Sequence, residues 1–272
     1  MLEMTFGNKK ISTELPAFVM GIVNATPDSF YDGSRGGLER ALELVDQGAH
    51  IIDIGGESTR PGFTPISDNE EIARVIPLLC ELKKKSDIVV SIDTTKTAVM
   101  KAAIDNGADI INNVGEFTDE ELELCKNAEV SVILMHHTSG GANEIVEYLK
   151  TQANRCLKAG IPHEKIIIDP GIGFGKNFEQ NIDAIKNTDK LFATGFTVLM
   201  ALSRKSSIGQ MTGREVHERL AGTLTADIIS IQKGAKIIRV HDVSEAIVLG
   251  KRTARAGIIL AQQCQLLICL RQ

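Results

Sequence analysis

Short apolar runs alternate with longer amphipathic stretches along the whole chain. The runs are Phe18–Val23, Ile51–Ile54, Ile88–Ile92, Ile110–Asn112, Ser131–Met135, Lys165–Ile168, Thr197–Met200 and Lys236–Val240. They are continuously apolar rather than alternating, as expected of parallel strands buried on both faces. The amphipathic stretches predict helices over Leu38–Gln47, Asn69–Lys84, Lys96–Asn106, Asp119–Asn127, Glu144–Ala159, Asn181–Lys186, Val216–Lys233 and Ser244–Leu260. Strands and helices in strict alternation, with no Pro-, Gly- or Ser-rich linker between them, predict an α/β fold: a single (β/α)8 TIM barrel over residues 1–272. A doubly wound open sheet is the alternative, because alternation alone does not prove closure. Before the first strand, Gly7-Asn8 favours a short N-terminal hairpin that would cap the bottom of a barrel. The tail QQCQLLICLRQ either extends the last helix or packs on a partner subunit.

Each predicted strand breaks into polar residues at its C-terminal end, where barrel enzymes build their active sites. The first gives Asn24 and TPDSF; the second carries Asp53 and leads into GGESTRPG. The third and fourth give Asp93-Thr94 and Asn112-Asn113, the fifth His136-His137, and the sixth Asp169 with GIGFGK. The last two give Ser203-Arg204-Lys205 and Arg239, His241 and Asp242. One Asp or Asn at a strand end commonly caps the next helix, but helix capping does not account for all eight ends. Asp53, Asp93, Asn112 and Asp169 suit a flat heterocycle with several N–H donors, because a carboxylate accepts two parallel N–H bonds. Arg60, Arg204, Lys205, Arg239 and His241 suit a polyanion such as pyrophosphate. Asn24 is an oxygen donor of the kind Mg2+ takes beside substrate phosphates. GIGFGK lacks the spacing of a phosphate loop, and its glycines are read as allowing close backbone approach to a ligand.

Composition narrows the partners. A net charge of −5 without a dense Lys/Arg stripe gives no sign of nucleic acid. No apolar stretch is long enough to cross a membrane, and MLEMTFGNKK lacks the apolar core of a signal peptide. Five scattered cysteines without CxxC spacing read as reduced thiols of a cytoplasmic protein, with no zinc site. KKKSD at 83–87 reads as a helix C-terminus with a solvated exit. His50 and His217 are assigned to solvent. Of the adjacent pair, His136 is expected to face inward and His137 outward.

In order and combination, GIVNATPDSF, GGESTRPG, SIDT, INN, MHH, DPGIGFGK, SRKS and RVHD make the chain resemble dihydropteroate synthase over almost its whole length. The resemblance implies a TIM barrel, usually a homodimer, that takes small-molecule substrates in folate biosynthesis. The reaction is a transfer: 6-hydroxymethyl-7,8-dihydropterin pyrophosphate and para-aminobenzoate give 7,8-dihydropteroate and pyrophosphate. Sulfonamides inhibit the family by mimicking para-aminobenzoate. Carried onto this chain, the resemblance places the pterin against Asp53, Asp93, Asn112, Asp169 and Lys205. Pyrophosphate falls to Asn24, Arg60, Arg239 and His241, with Mg2+ at Asn24. Para-aminobenzoate falls to Phe30, Thr59, Pro61, Phe174, Lys205 and Ser206. The expected catalytic set is Asp93, Lys205, Arg60 and Asp28.

Some residues depart from the family pattern. Asn113 stands where the family usually has Asp, which removes a charge expected near the pocket. His137 replaces a common Met, Ala201 replaces a Gly, and the stretch from His137 to Ile145 is short. Two other readings fit a pterin-binding barrel. A pterin-dependent methyltransferase would need the Asp/Asn ring but not TPDSF, STRPG and the Arg239/His241 pair together. A catalytically silent binder would show erosion at Asn24, Arg60, Lys205, Arg239 and His241, all of which are present.

Overall fold

The computed structural model of the protein describes residues 1–25, 37–57 and 65–269. It opens with an antiparallel hairpin, β1 (Leu2–Phe6) and β2 (Lys9–Thr13), turning at Gly7-Asn8. Eight parallel strands follow: β3 (Phe18–Asn24), β4 (Ile51–Gly55), β5 (Val89–Asp93), β6 (Ile110–Asn113), β7 (Ser131–Met135), β8 (Ile166–Asp169), β9 (Thr197–Met200) and β10 (Ile237–Val240). They hydrogen-bond in chain order, and β10 returns to pair with β3, closing the barrel. Closure decides against the open sheet. Successive side chains on a strand point to opposite faces, and here both faces are covered. Phe18, Met20, Ile51, Val89, Ile110, Ile133, Ile167, Leu199 and Ile237 form the inner cluster. Their strand neighbours, among them Val19, Ile52, Val90 and Ile111, pack on the helices.

The helices are α1 (Gly37–Asp46), α2 (Asp68–Lys85), α3 (Thr97–Asp105), α4 (Asp119–Asn127), α5 (Ala142–Ala159), α6 (Phe178–Lys186), α7 (Thr188–Phe192), α8 (Ser206–Thr212), α9 (Leu220–Gln232) and α10 (Val243–Cys269). Capping sets several starts: Ser67 accepts from the Glu70 amide, and Thr118/Glu121 and Asn177/Gln180 form reciprocal boxes. Helix α10 carries on through most of the tail. The helix expected over Val216–Lys233 begins instead at Leu220, after a separate 3-10 turn at Val216–Glu218. Helices α7 and α8 were not expected. No helix among the described residues is long and apolar enough to cross a membrane.

The hairpin plugs the N-terminal mouth. Phe6 is fully buried and meets Phe18 edge-to-face at 5.8 Å, while the Gly7 amide donates to Ser131 Oγ at 3.1 Å. His50 belongs to this plug and not to solvent: Nδ1 accepts from the Val19 amide at 3.0 Å, and Nε2 lies 3.0 Å from Thr13 Oγ1. Burial lowers its pKa, with the Val19 bond opposing. Lys83, expected in the solvated exit of α2, instead pairs with Asp109 at 2.5 Å. His217 is exposed as expected. Cys80, Cys125 and Cys156 are free thiols, and burial pushes the latter two up to about 12.

Candidate active site

Strand register brings the acidic residues together at the C-terminal mouth. Asp53 pairs with Ser91, two residues before Asp93, and Asp93 pairs with Asn112 on the next strand. All four continue the inward-facing parity of Ile51, Val89 and Ile110, as Asp169 continues that of Ile167 and Arg239 that of Ile237. Apolar layers therefore fill the lower barrel, and an acidic ring with one arginine sits on top.

Arg239 is forked between two of these carboxylates: Nε donates to Asp53 Oδ2 at 2.6 Å and Nη2 to Asp93 Oδ2 at 2.9 Å. Asn112 Nδ2 donates to the same Asp53 oxygen at 3.3 Å. Asp53 Oδ1 and Asp93 Oδ1 are buried without a hydrogen-bond partner among the described residues, as is Ser91 Oγ. A buried acceptor left unpaired costs about 1–3 kcal/mol, more when charged, so these atoms are placed to receive donors from a ligand. Burial raises the Asp93 pKa to about 7; Arg239 pulls it down, and Asp53, Glu71 and Asp169 push it up. Asp169 is also raised by burial, against the pull of Lys205 and a bond from the Gly171 amide at 2.7 Å. Burial works against the Arg239 cation, but Asp53 and Asp93 hold its pKa above the ordinary value.

Lys205 lies on the other side of the mouth, with Nζ 4.9 Å from the centre of the Phe174 ring and bonded to the Ile172 carbonyl. Burial lowers its pKa to about 8, with Asp169 opposing. The segment between β8 and α6 holds Phe174 in place. Gly171 has φ +66°, and a Cβ there would meet the His136 carbonyl oxygen at 2.0 Å, so no side chain fits. Lys176 ties this segment to the end of β7, donating to the carbonyls of His136 (2.8 Å), Gly171 (3.1 Å), Phe174 (3.1 Å) and Thr138 (3.3 Å). Sequence reasoning passed over Lys176. The one available signal was its place at the end of a run with glycine at every second position.

The remaining expected residues fall in different places. Asn24 ends β3, near Gly55. His241 is buried, with Nδ1 2.9 Å from Ser203 Oγ. Ser206 opens α8 and is exposed, whereas Ser207 is fully buried. Asp28, Phe30, Thr59, Arg60 and Pro61 lie outside the described residues. Arg204, expected among the anion-binding cations, forks onto Asp242 with two bonds of 2.8 Å and donates to the carbonyls of Val216 and His217. It braces the ends of β9 and β10. The expectation for the histidines fails: His136 has the parity of Val132 and Leu134, which pack on the helices, and the rings of both His136 and His137 meet Tyr148 edge-on, at 5.0 and 6.0 Å. Asn113 also lies on the helix side, where Oδ1 accepts from the Gly115 amide at 2.7 Å. Exchange at position 113 therefore changes a turn and not the inner ring.

The site thus offers paired acceptors at its floor, a guanidinium between them and an ammonium over an aromatic ring at its edge. Residues 20–241 match the family of pterin binding enzymes. Dihydropteroate synthase of Clostridium beijerinckii is 40% identical over 255 residues, spanning 89% of this chain and 95% of that protein. The structure of Xanthomonas albilineans dihydropteroate synthase with 4-aminobenzoic acid superposes with a TM-score of 0.85 at 37% identity, covering 95% of this chain and 98% of that one. A dihydropteroate synthase from Coxiella burnetii in complex with pteroic acid also gives 0.85, at 33% identity over 94% and 98% of the two chains. On sequence, fold and site together, the chain belongs to the dihydropteroate synthase group of the pterin binding enzymes.

Proposed function

We propose that the chain works as one barrel domain and condenses 6-hydroxymethyl-7,8-dihydropterin pyrophosphate with para-aminobenzoate, giving 7,8-dihydropteroate and pyrophosphate. The observation that carries this reading is the pair of buried oxygens Asp53 Oδ1 and Asp93 Oδ1, unpartnered among the described residues, at the floor of the ring. They suit the N–H edge of an aminopyrimidinone, and Asn112 and Asp169 stand beside them. Relatives solved with 4-aminobenzoic acid and with pteroic acid support the two substrate halves.

In this reading the C–O bond to pyrophosphate breaks and the bond from the exocyclic carbon to the amine nitrogen forms. The amine then loses a proton to solvent or to the departing anion. Positive charge delocalised over the dihydropterin is stabilised by ionised Asp93, which burial makes more effective than an exposed carboxylate. The neutral aromatic amine is the nucleophile, so no strong protein base is needed. Arg239, His241 and Arg60 would hold the departing anion, and Lys205 would pack on the ring edge. Phe174, Ser206, Phe30, Thr59 and Pro61 would form the amine side, and Asp28 completes the catalytic set.

Among the described residues no three His, Cys, Asp or Glu side chains converge to hold a metal ion. Asn24, a single hard oxygen at the mouth, fits a Mg2+ whose other ligands are phosphate oxygens and water. Bound there, Mg2+ would neutralise charge on the pyrophosphate. Exposed Phe192, Met211 and Ile229 on α7, α8 and α9 support a homodimer, and the free thiols support a reducing compartment, the cytoplasm.

The test is Asp93→Asn, with turnover measured alongside pterin binding by calorimetry. Turnover is expected to fall about 100-fold or more, the scale for losing one transition-state electrostatic partner, while pterin affinity changes far less. Equal losses in both would refute the role of Asp93, and a wild-type protein that binds no pterin would refute the whole reading.

A further inference from the structure

The Lys176 ammonium occupies a place that would suit a free monovalent cation. Its four oxygen partners, 2.8–3.3 Å away, are all main-chain carbonyls. Gly171 and Phe174 belong to its own segment between β8 and α6, and His136 and Thr138 to the chain leaving β7. An ammonium has three N–H donors, so four oxygens share them. The two stretches lie close along this line. Strands β7 and β8 pair as far as Met135 and Asp169, and a Cβ on Gly175 would meet the His137 carbonyl oxygen at 2.7 Å and Thr138 Cα at 2.9 Å.

The segment that Lys176 gathers touches the site at three consecutive points. The Gly171 amide donates to Asp169 Oδ1 at 2.7 Å, the Ile172 carbonyl accepts from Lys205 Nζ, and the Phe174 ring lies 4.9 Å below that same ammonium. Asn181 holds the segment from the helix side: its Oδ1 accepts from the Gly173 amide at 2.7 Å, and its Nδ2 donates to the Lys176 carbonyl at 3.3 Å. Asn181 thus ties these residues to α6, and the Lys176 side chain ties them to β7.

Carbonyl oxygens aimed at one point repel each other unless a cation lies between them, and a buried acceptor without a donor is costly. Burial lowers the Lys176 pKa to about 8, with Asp169 opposing and Lys205 adding to the fall, so the ammonium stays mostly charged at neutral pH. All four of its bonds go to main-chain oxygens. It therefore acts through the segment and not on a substrate.

We propose that Lys176 is a positioning residue: its ammonium fills a cation site made of four main-chain carbonyls, and this tethered cation sets the Phe174 ring and the Ile172 carbonyl against Lys205. This rests on the proposed function, in which Phe174 and Lys205 line the amine side of the pocket.

The test compares wild type with Lys176→Ala, Lys176→Met and Lys176→Arg, each in ammonium chloride and in tetramethylammonium chloride at equal ionic strength. The second cation has no N–H to donate. Steady-state kinetics in each substrate, calorimetry with 6-hydroxymethylpterin, thermal unfolding and amide exchange over residues 171–176 are measured on each protein. In tetramethylammonium, Lys176→Ala is expected to lower kcat/KM for para-aminobenzoate about tenfold or more, the scale for a misplaced binding wall, and to speed exchange of the segment. Pterin affinity should fall much less, because Asp53, Asp93 and Asn112 are bonded to Arg239 and to each other. Ammonium should restore most of the loss in Lys176→Ala, where the missing side chain leaves room for the ion, and little of it in Lys176→Met, whose stem fills that room. Lys176→Arg should not restore it, since a planar guanidinium spreads its donors instead of presenting a point charge. Unchanged amine kinetics in Lys176→Ala, equal losses for both substrates, or a loss that ammonium leaves untouched would overturn the positioning role. So would a variant that unfolds and is not refolded by ammonium. Absence of turnover in the wild type would instead overturn the functional reading, while the exchange and unfolding measurements would still decide whether the carbonyl site takes a cation.

Discussion

Replacing Arg239 with Met removes the guanidinium that bridges Asp53 and Asp93 while keeping an apolar side chain of similar length. The two bonds lost are 2.6 and 2.9 Å long, and the acceptor side chains are 0% and 11% exposed. Breaking a buried ion pair from one side costs about 3–5 kcal/mol, because the orphaned charge remains buried. Asp93 makes this cost depend on pH. Its folded pKa is raised from 3.8 to about 7, so the stability linked to it is fully present below about pH 4 and is lost as pH rises through 7. Near pH 5, Asp93 is protonated in wild type and variant alike, and only the bond to Asp53 is missed. At pH 8 the variant must keep an ionised or expensively protonated Asp93 with no arginine beside it. The expected loss is about 3–5 kcal/mol at pH 8 and roughly half that at pH 5, given the magnitude for buried pairs. Urea unfolding at both pH values reads it directly. A loss below about 1 kcal/mol at pH 8, less than such a pair allows, or an equal loss at both pH values, would refute the forked arrangement.

Three further outcomes follow from single residues. Asp227 in α9 is fully buried with neither oxygen partnered among the described residues, and burial with Asp242 nearby raises its pKa well above 3.8. Its folded pKa is raised, so wild-type stability falls as pH climbs from about 4; Asp227→Ala should stabilise the fold by about 1–2 kcal/mol at pH 8, and a destabilised variant in urea titration would contradict this. Burial pushes the Lys205 ammonium down to about 8; kcat/KM should decline above about pH 8, and Lys205→Arg, charged throughout, should move that limb upward, whereas an unmoved limb would assign it elsewhere. Gly171→Ala would place Cβ 2.0 Å from the His136 oxygen at φ +66°; a loss of about 3 kcal/mol or more in unfolding free energy is expected, at or above the upper end for overpacking, and a near-neutral result would mean the Lys176-linked segment is not packed as described.

The barrel was legible because fully buried parallel strands leave an unmistakable pattern: uninterrupted Ile and Val ended by Asp, Asn or Gly. Ser131–Met135 and Thr197–Met200 matched to the residue, and the others differed by a single residue at one or both ends. Helix α4 was equally clear, because Thr118 and Glu121 form its capping box. Helices α7 and α8 were missed because five and seven residues are too few to show a period of 3.6. The identity of the ring residues was visible in the strand ends, but their pairing was not. Arg239 reaches Asp53 across 186 positions, and nothing local in RVHD shows that its guanidinium lies between two carboxylates. His50, Lys83, Arg204 and His136 failed in the same way. Each was read from its own neighbourhood, whereas its partners come from distant segments: Val19, Asp109, Asp242 and Tyr148.

The measurement that bears most directly on the central claim is pyrophosphate release from 6-hydroxymethyl-7,8-dihydropterin pyrophosphate, run with and without para-aminobenzoate and with the pterin product identified by mass. Release that depends on the amine, matched mole for mole by 7,8-dihydropteroate, is the predicted result. Tight pterin binding with no amine-dependent release would contradict it.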